Sequence, residues 1–174
     1  NLYKSTDAGA TWAPVEDAPK GLMVQRMKYN GDGKIVLTYA STEGPWNNPR
    51  GNGGIRLLNI ADDSITDITP EKNGYGDVVI DPNDPNRMLA VTENVYDQQA
   101  NGTFGDDFYV TTDGGKTWKN INLDMTMSGG DVSWHNESSM HWCSSLAIDP
   151  HNTGKIMVVS GNGIFSCDNI WDEH

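Results

Sequence analysis

Thr111-Thr112-Asp113-Gly114-Gly115-Lys116-Thr117-Trp118 matches Ser5-Thr6-Asp7-Ala8-Gly9-Ala10-Thr11-Trp12 at six of eight positions, Ser and Thr counted alike. Both stretches satisfy S/T-x-D-x-G-x-T-W, and their Asp residues stand 106 apart, two periods of 53. Each position has a physical purpose. An Asp carboxylate can cap the free amides of a turn, and Gly accepts a positive φ without steric cost. The Thr hydroxyl can bond locally, and the Trp supplies a large apolar surface for a neighbouring element. The motif therefore predicts a closed turn between two strands. A worn copy lies halfway, at Asn59-Ile60-Ala61-Asp62-Asp63-Ser64-Ile65-Thr66-Asp67, and another ends the chain at Ser166-Cys167-Asp168-Asn169-Ile170-Trp171.

A second repeat runs in a different phase. Val78-Val79-Ile80-Asp81-Pro82-Asn83-Asp84 through Val91 parallels Leu146-Ala147-Ile148-Asp149-Pro150-His151-Asn152 through Val159, with a shorter version from Met27 to Leu37. Each is a strand, a polar turn and a strand. Interleaving the two repeats gives a four-stranded unit of about 50 residues, the size of a propeller blade. The expected fold is thus all-β: a β-propeller with Asp-boxes, holding two complete four-stranded blades plus partial blades at both ends. The expected divisions are a partial blade 1–20, blades 21–72 and 73–124, and a loop with a partial blade 125–174. A ring needs about four blades or more, so this chain reads as part of a larger propeller.

Composition agrees and excludes other classes. The 174 residues carry a net charge of −12, which disfavours a nucleic-acid partner. No apolar run approaches the ~18 residues of a membrane helix; the longest clusters, Ile35-Val36-Leu37 and Ile156-Met157-Val158-Val159, have strand length. Nineteen Gly and eight Pro fit a chain dense in turns. Cys143 and Cys167 are compatible with a disulfide or with two buried thiols. The chain opens on Asn1 rather than Met, so it reads as a mature or trimmed product, and the lack of a signal peptide does not argue against secretion.

The ordered motifs resemble glycoside hydrolase family 74, the xyloglucan-active endo-β-1,4-glucanases. Leu2-Tyr3-Lys4-Ser5 through Trp12 followed by Gly21-Leu22-Met23, then Asp67-Ile68-Thr69-Pro70, Gly76-Asp77-Val78-Val79-Ile80-Asp81-Pro82, and Trp142 ahead of Ser144-Ser145-Leu146-Ala147-Ile148-Asp149-Pro150, follow that family's order. The resemblance implies a secreted enzyme of two seven-bladed propellers with a β-glucan or xyloglucan chain in the cleft between them. It also implies an inverting acid/base pair of Asp residues in D-I/V-G-G segments. No such segment occurs here, so no catalytic residue is assigned and the enzyme assignment rests on the parent. By the family's order, the chain corresponds to the middle of the first propeller. The partners implied are the polysaccharide and the remainder of the parent propeller protein, with no cofactor.

Glucan chains are held by aromatic platforms flanked by hydrogen-bonding groups. Loop positions make Trp46, Tyr96, Trp134, Trp142, Asn48 and His141 the substrate-binding candidates. Val95-Tyr96 stands where family members carry a Trp pair. A core role is the competing reading for Trp142. The Asp-box set Asp7, Gly9, Trp12, Asp113, Gly115 and Trp118 is assigned structural roles, with Trp12, Trp118 and Trp171 as core rings. His135 and His141 lack an evident third ligand, so no metal is assigned. Two alternatives stand beside the hydrolase: a noncatalytic carbohydrate-binding propeller and an interaction-only propeller of the sortilin type. A sialidase would need a clustered Arg set, which Arg26, Arg50, Arg56 and Arg87 do not form in sequence.

Overall fold

The computed structural model describes residues 2–41, 52–93, 105–128 and 140–172. Among them every regular element is a strand. The chain forms β1 (Tyr3–Lys4), β2 (Ala13–Pro14), β3 (Leu22–Tyr29), β4 (Lys34–Ser41), β5 (Gly53–Asn59), β6 (Ile65–Asp67) and β7 (Tyr75–Asp81). It continues with β8 (Asp84–Thr92), β9 (Phe108–Thr111), β10 (Lys119–Asn120), β11 (Ser145–Ile148), β12 (Ile156–Ser160) and β13 (Gly163–Cys167). They pair as a two-stranded sheet β1-β2, a four-stranded sheet β3-β4-β5-β6, a four-stranded sheet β7-β8-β9-β10 and a three-stranded sheet β11-β12-β13. Every pairing is antiparallel and joins strands consecutive in sequence. These are the meanders of propeller blades: two complete, with a partial one at either end.

The two four-stranded sheets bury strands on both faces because each has an apolar cluster on either side. Along β8, Met88 and Ala90 point into one apolar cluster while Leu89 and Val91 point into the next. A two-residue side-chain period thus splits one continuous apolar run between two cores. One cluster joins Leu2, Val15 and Ala18 to Leu37, Tyr39 and Leu58. The second joins Val36, Ile55 and Ile68 to Tyr75, Val78, Met88 and Tyr109. The third joins Val79, Leu89, Phe108 and Ile121 to Leu146, Ile156 and Val158. Each cluster therefore lies between successive sheets, and burying each of these side chains contributes about 1.5–3 kcal/mol.

Coverage fails in two places. Met27 and Tyr29 on β3 are exposed, because β1 and β2 supply no strand long enough to lie over them. At the other end Met157, Val159 and Ile164 share the uncovered face of β12 and β13.

The Asp-box turns close as their residues require. Asp113 accepts the Thr117 amide at 2.9 Å and its hydroxyl at 2.7 Å, while Thr111 Oγ1 donates to the same carboxylate at 2.8 Å. Gly114 and Gly115 sit at φ 74° and 85°. The Trp118 indole N–H donates to the Ile68 carbonyl of the preceding sheet at 2.7 Å. In the first box Asp7 holds the Thr11 amide and hydroxyl at 2.8 and 2.6 Å.

Two features depart from the sequence expectation. Trp12 is 64% exposed and donates only to Gly9 within its own turn, at 3.1 Å. The reason follows from Trp118: the ring of a box packs on the sheet before it, and β1-β2 is the first sheet of this chain. Trp171, by contrast, packs half-buried against the third cluster as Trp118 does against the second, its indole N–H reaching Thr153 O at 2.7 Å. The worn copy after Asn59 makes a shorter turn, closed by Asp62 on Ser64, with Asp63 at φ 60°. Cys143, buried, and Cys167, half-buried, are not joined in a disulfide.

Candidate functional site

The antiparallel meander puts the β4–β5 and β8–β9 connections and the approach to β11 at one end of the sheets. The Asp-box turns close the opposite end. Registers fix this: Leu22 faces Ser41 and Ala40 faces Gly53 in one sheet, Tyr75 faces Thr92 and Val91 faces Phe108 in the next. The last two inner strands run in the same sense. Asp77 meets Leu146 near one end of β7, and Asp81 meets Thr153 beyond the other.

Of the six candidate substrate-binding residues, Trp46, Asn48, Tyr96 and Trp134 lie outside the described residues. His141 and Trp142 fall within them, immediately before β11. Trp142 is 47% exposed at φ 54°, a conformation in which a non-Gly residue is strained. Its ring lies over Gly161 in the turn between β12 and β13, so closely that a Cβ there would collide with Cε3. The Gly161 amide donates to the His141 carbonyl at 2.6 Å, holding that turn and the Trp142 backbone together. The ring is supported on one side and open on the other. A flat apolar surface of that kind can stack on a sugar face.

Charged groups surround the backbone of this segment. Asp77 is fully buried, yet its carboxylate accepts the Leu146 amide at 2.9 Å and faces Lys28 at 3.6 Å and Arg26 at 3.9 Å. Asp106, also fully buried, accepts the Cys143 amide at 2.8 Å. Burial pushes the Glu93 carboxyl up, with Arg26 opposing, and Glu93 packs beside Gly76. A Cβ on Gly76 would stand 2.6 Å from the Cys143 carbonyl, so only glycine lets β7 lie this close to the approach to β11. Asp107 is likewise raised by burial. In contrast, the Thr bonds within the boxes hold the Asp7 and Asp113 carboxyls down to about 2. Both are committed to their own turns as carboxylates, unsuited to giving up a proton near neutrality.

Sequence reasoning missed Arg26, Asp77, Glu93 and Asp106. For Asp77 a signal was present: an acid heading the apolar strand Val78-Val79-Ile80 has to be buried, and a buried acid needs partners. Arg26 offers no such local signal, since its partners lie in two other sheets.

The sequence signature of the BNR/Asp-box repeat matches residues 109–120. The crystal structure of the GH74 enzyme of Niastella koreensis superimposes with a TM-score of 0.87 and 34% identity, over 98% of this chain and 25% of that one. The chain is a segment of a family 74 β-propeller. The GH74 xyloglucanase of Xanthomonas campestris gives 0.82 and 30%, covering 98% of this chain and 24% of that one. Among curated relatives, a xyloglucanase of Acetivibrio thermocellus is 28% identical over 99% of this chain and 23% of its own length. A probable oligoxyloglucan-reducing end-specific xyloglucanase of Neosartorya fischeri is 28% identical over 76% of this chain and 20% of its own. The chain thus spans about a quarter of the length of these relatives.

Proposed function

We propose that this chain is the part of a secreted xyloglucan-degrading glycoside hydrolase that frames the propeller and carries substrate-binding loops. The observation that carries the reading is the half-exposed Trp142, fixed over Gly161 on the end of the sheets where the long connections leave. The xyloglucanase relatives support the substrate class. In this reading the chain divides into a partial blade 1–20, blades 21–72 and 73–124, and a loop with a partial blade 125–174, all within the first propeller. Trp46, Asn48, Tyr96, Trp134, His141 and Trp142 line the glucan cleft, and the acid/base pair comes from elsewhere in the parent. The Asp7 and Asp113 geometry favours this division of labour, because both carboxylates are bonded to the amide and hydroxyl of a Thr in their own turns.

Titration calorimetry of the full-length protein with a xyloglucan oligosaccharide tests the reading. Trp46→Ala, Tyr96→Ala and Trp142→Ala are each expected to weaken binding by about 1–3 kcal/mol, the scale of a base stacked on an aromatic ring. Unchanged affinity in all three, with folding intact, moves the binding site elsewhere.

A further inference from the structure

The approach to β11 is held by groups from three other parts of the ring. From Met140 to Leu146, nearly every backbone polar group with a partner bonds outside its own segment. The Asp106 amide donates to Met140 O at 2.8 Å, and Gly161 donates to His141 O at 2.6 Å. Asp106 Oδ2 accepts Cys143 N at 2.8 Å, and Asp77 Oδ2 accepts Leu146 N at 2.9 Å. Arg26, 118 residues earlier and two sheets away, donates to Ser144 O at 2.7 Å. Both carboxylates are fully buried. Buried acids bonded to amides fix position far better than exposed ones, because breaking the bond strands a desolvated charge.

Arg26 differs from the others in its reach. It stands on β3, passes the Asp77 carboxylate of β7 at 3.9 Å and ends on the carbonyl two residues after Trp142. One side chain therefore ties the inner strands of three successive sheets. The planar guanidinium allows this, since one N–H can face the carboxylate while another holds the carbonyl. Lys28 also faces Asp77, so Asp77 keeps a countercharge without Arg26.

We infer that Arg26 is a positioning residue for the Trp142 platform, setting where the ring stands relative to the cleft. The inference deepens the proposed function and rests on it for its consequence in binding. The strained φ of Trp142 fits the arrangement: a left-handed Trp persists only where surrounding bonds over-determine it.

The test uses the full-length protein labelled with 5-fluorotryptophan, the Trp142 resonance being assigned with Trp142→Phe. Arg26→Lys keeps a charge beside Asp77 but lacks the forked donors to hold Ser144 as well. It is expected to shift or broaden the Trp142 fluorine resonance, leave that of Trp118 in place, and weaken xyloglucan-oligosaccharide binding by roughly threefold to tenfold. Arg26→Gln should do the same more strongly. If Arg26→Gln disturbs every tryptophan, Arg26→Lys alone decides. An unmoved Trp142 resonance in Arg26→Lys overturns the inference, whether or not affinity falls. So does a moved resonance with unchanged affinity when Trp142→Ala itself weakens binding. If Trp142→Ala leaves affinity intact while Arg26→Lys moves the resonance, the positioning role is supported and the platform reading fails.

Discussion

Two boxes of the same pattern differ at one residue in a way that carries a cost. Gly114 sits at φ 74°, and its counterpart Ala8 is forced to φ 56°. A left-handed residue with a Cβ costs about 1–2 kcal/mol, and glycine's greater freedom when unfolded returns part of that. Ala8→Gly is therefore expected to stabilise the fold by about 0.5–1 kcal/mol, read from the urea midpoint at constant slope. The box carboxylates also set a pH dependence. Asp113 is held at about 2 by the hydroxyl and amide of Thr117, below an unfolded value of about 3.9. Its contribution is thus complete above pH ~4 and is lost as pH falls towards 2. Asp113→Asn should flatten the acid limb of the stability curve between those values, and an unchanged limb would sink the assignment. Asp107 acts in the opposite sense. Burial raises its carboxyl, so its cost is absent in acid and grows as pH rises through the folded value.

Between elements, the Trp of a box serves the sheet that precedes it. Trp118 bonds Ile68 and packs on the cluster around Ile55 and Val78, while Gly115 lies so close to Ile68 that a Cβ there would stand only 2.9 Å from it. Trp118→Ala should cost about 3 kcal/mol, the low end for a large core ring. Trp12→Ala should change this chain's stability by less than about 0.5 kcal/mol, as for an exposed residue whose one bond, to Gly9 O, leaves an acceptor that water can reach. Chemical denaturation of both variants checks the pair; equal costs would contradict the packing described. This contrast marks the limit of what could be read from the sequence. The two motifs are alike in type and spacing, so the strand-turn-strand unit, its period and the sheet order were all legible in them. Whether a given Trp is covered depends on a neighbouring sheet, which no local pattern records. The same holds for Arg26, whose partners Asp77 and Ser144 are non-local, and for Asp106, whose bond to Cys143 spans two sheets.

At the scale of the molecule, the clusters between sheets leave two apolar faces uncovered, one at Met27 and Tyr29, the other at Met157, Val159 and Ile164, the last 72% exposed. Apolar faces of this kind drive association in water. The chain in isolation is expected to self-associate in sedimentation runs as its concentration rises. Ile164→Lys with Met157→Lys should shift it towards monomer without lowering its strand content. An isolated, unsubstituted chain that stays monomeric at all concentrations would show that these faces are not sticky. A different consequence follows from the cysteine lodged at the approach to β11. The Cys143 thiol has no exposed surface, and burial together with the neighbouring Asp106 carboxyl keeps it in its unreactive protonated form. With Cys167 replaced by Ser, iodoacetamide can consume Cys143 only during the moments when that approach lifts away. The alkylation rate then becomes a clock for breathing at the platform, and comparing it with global unfolding dates the one event against the other.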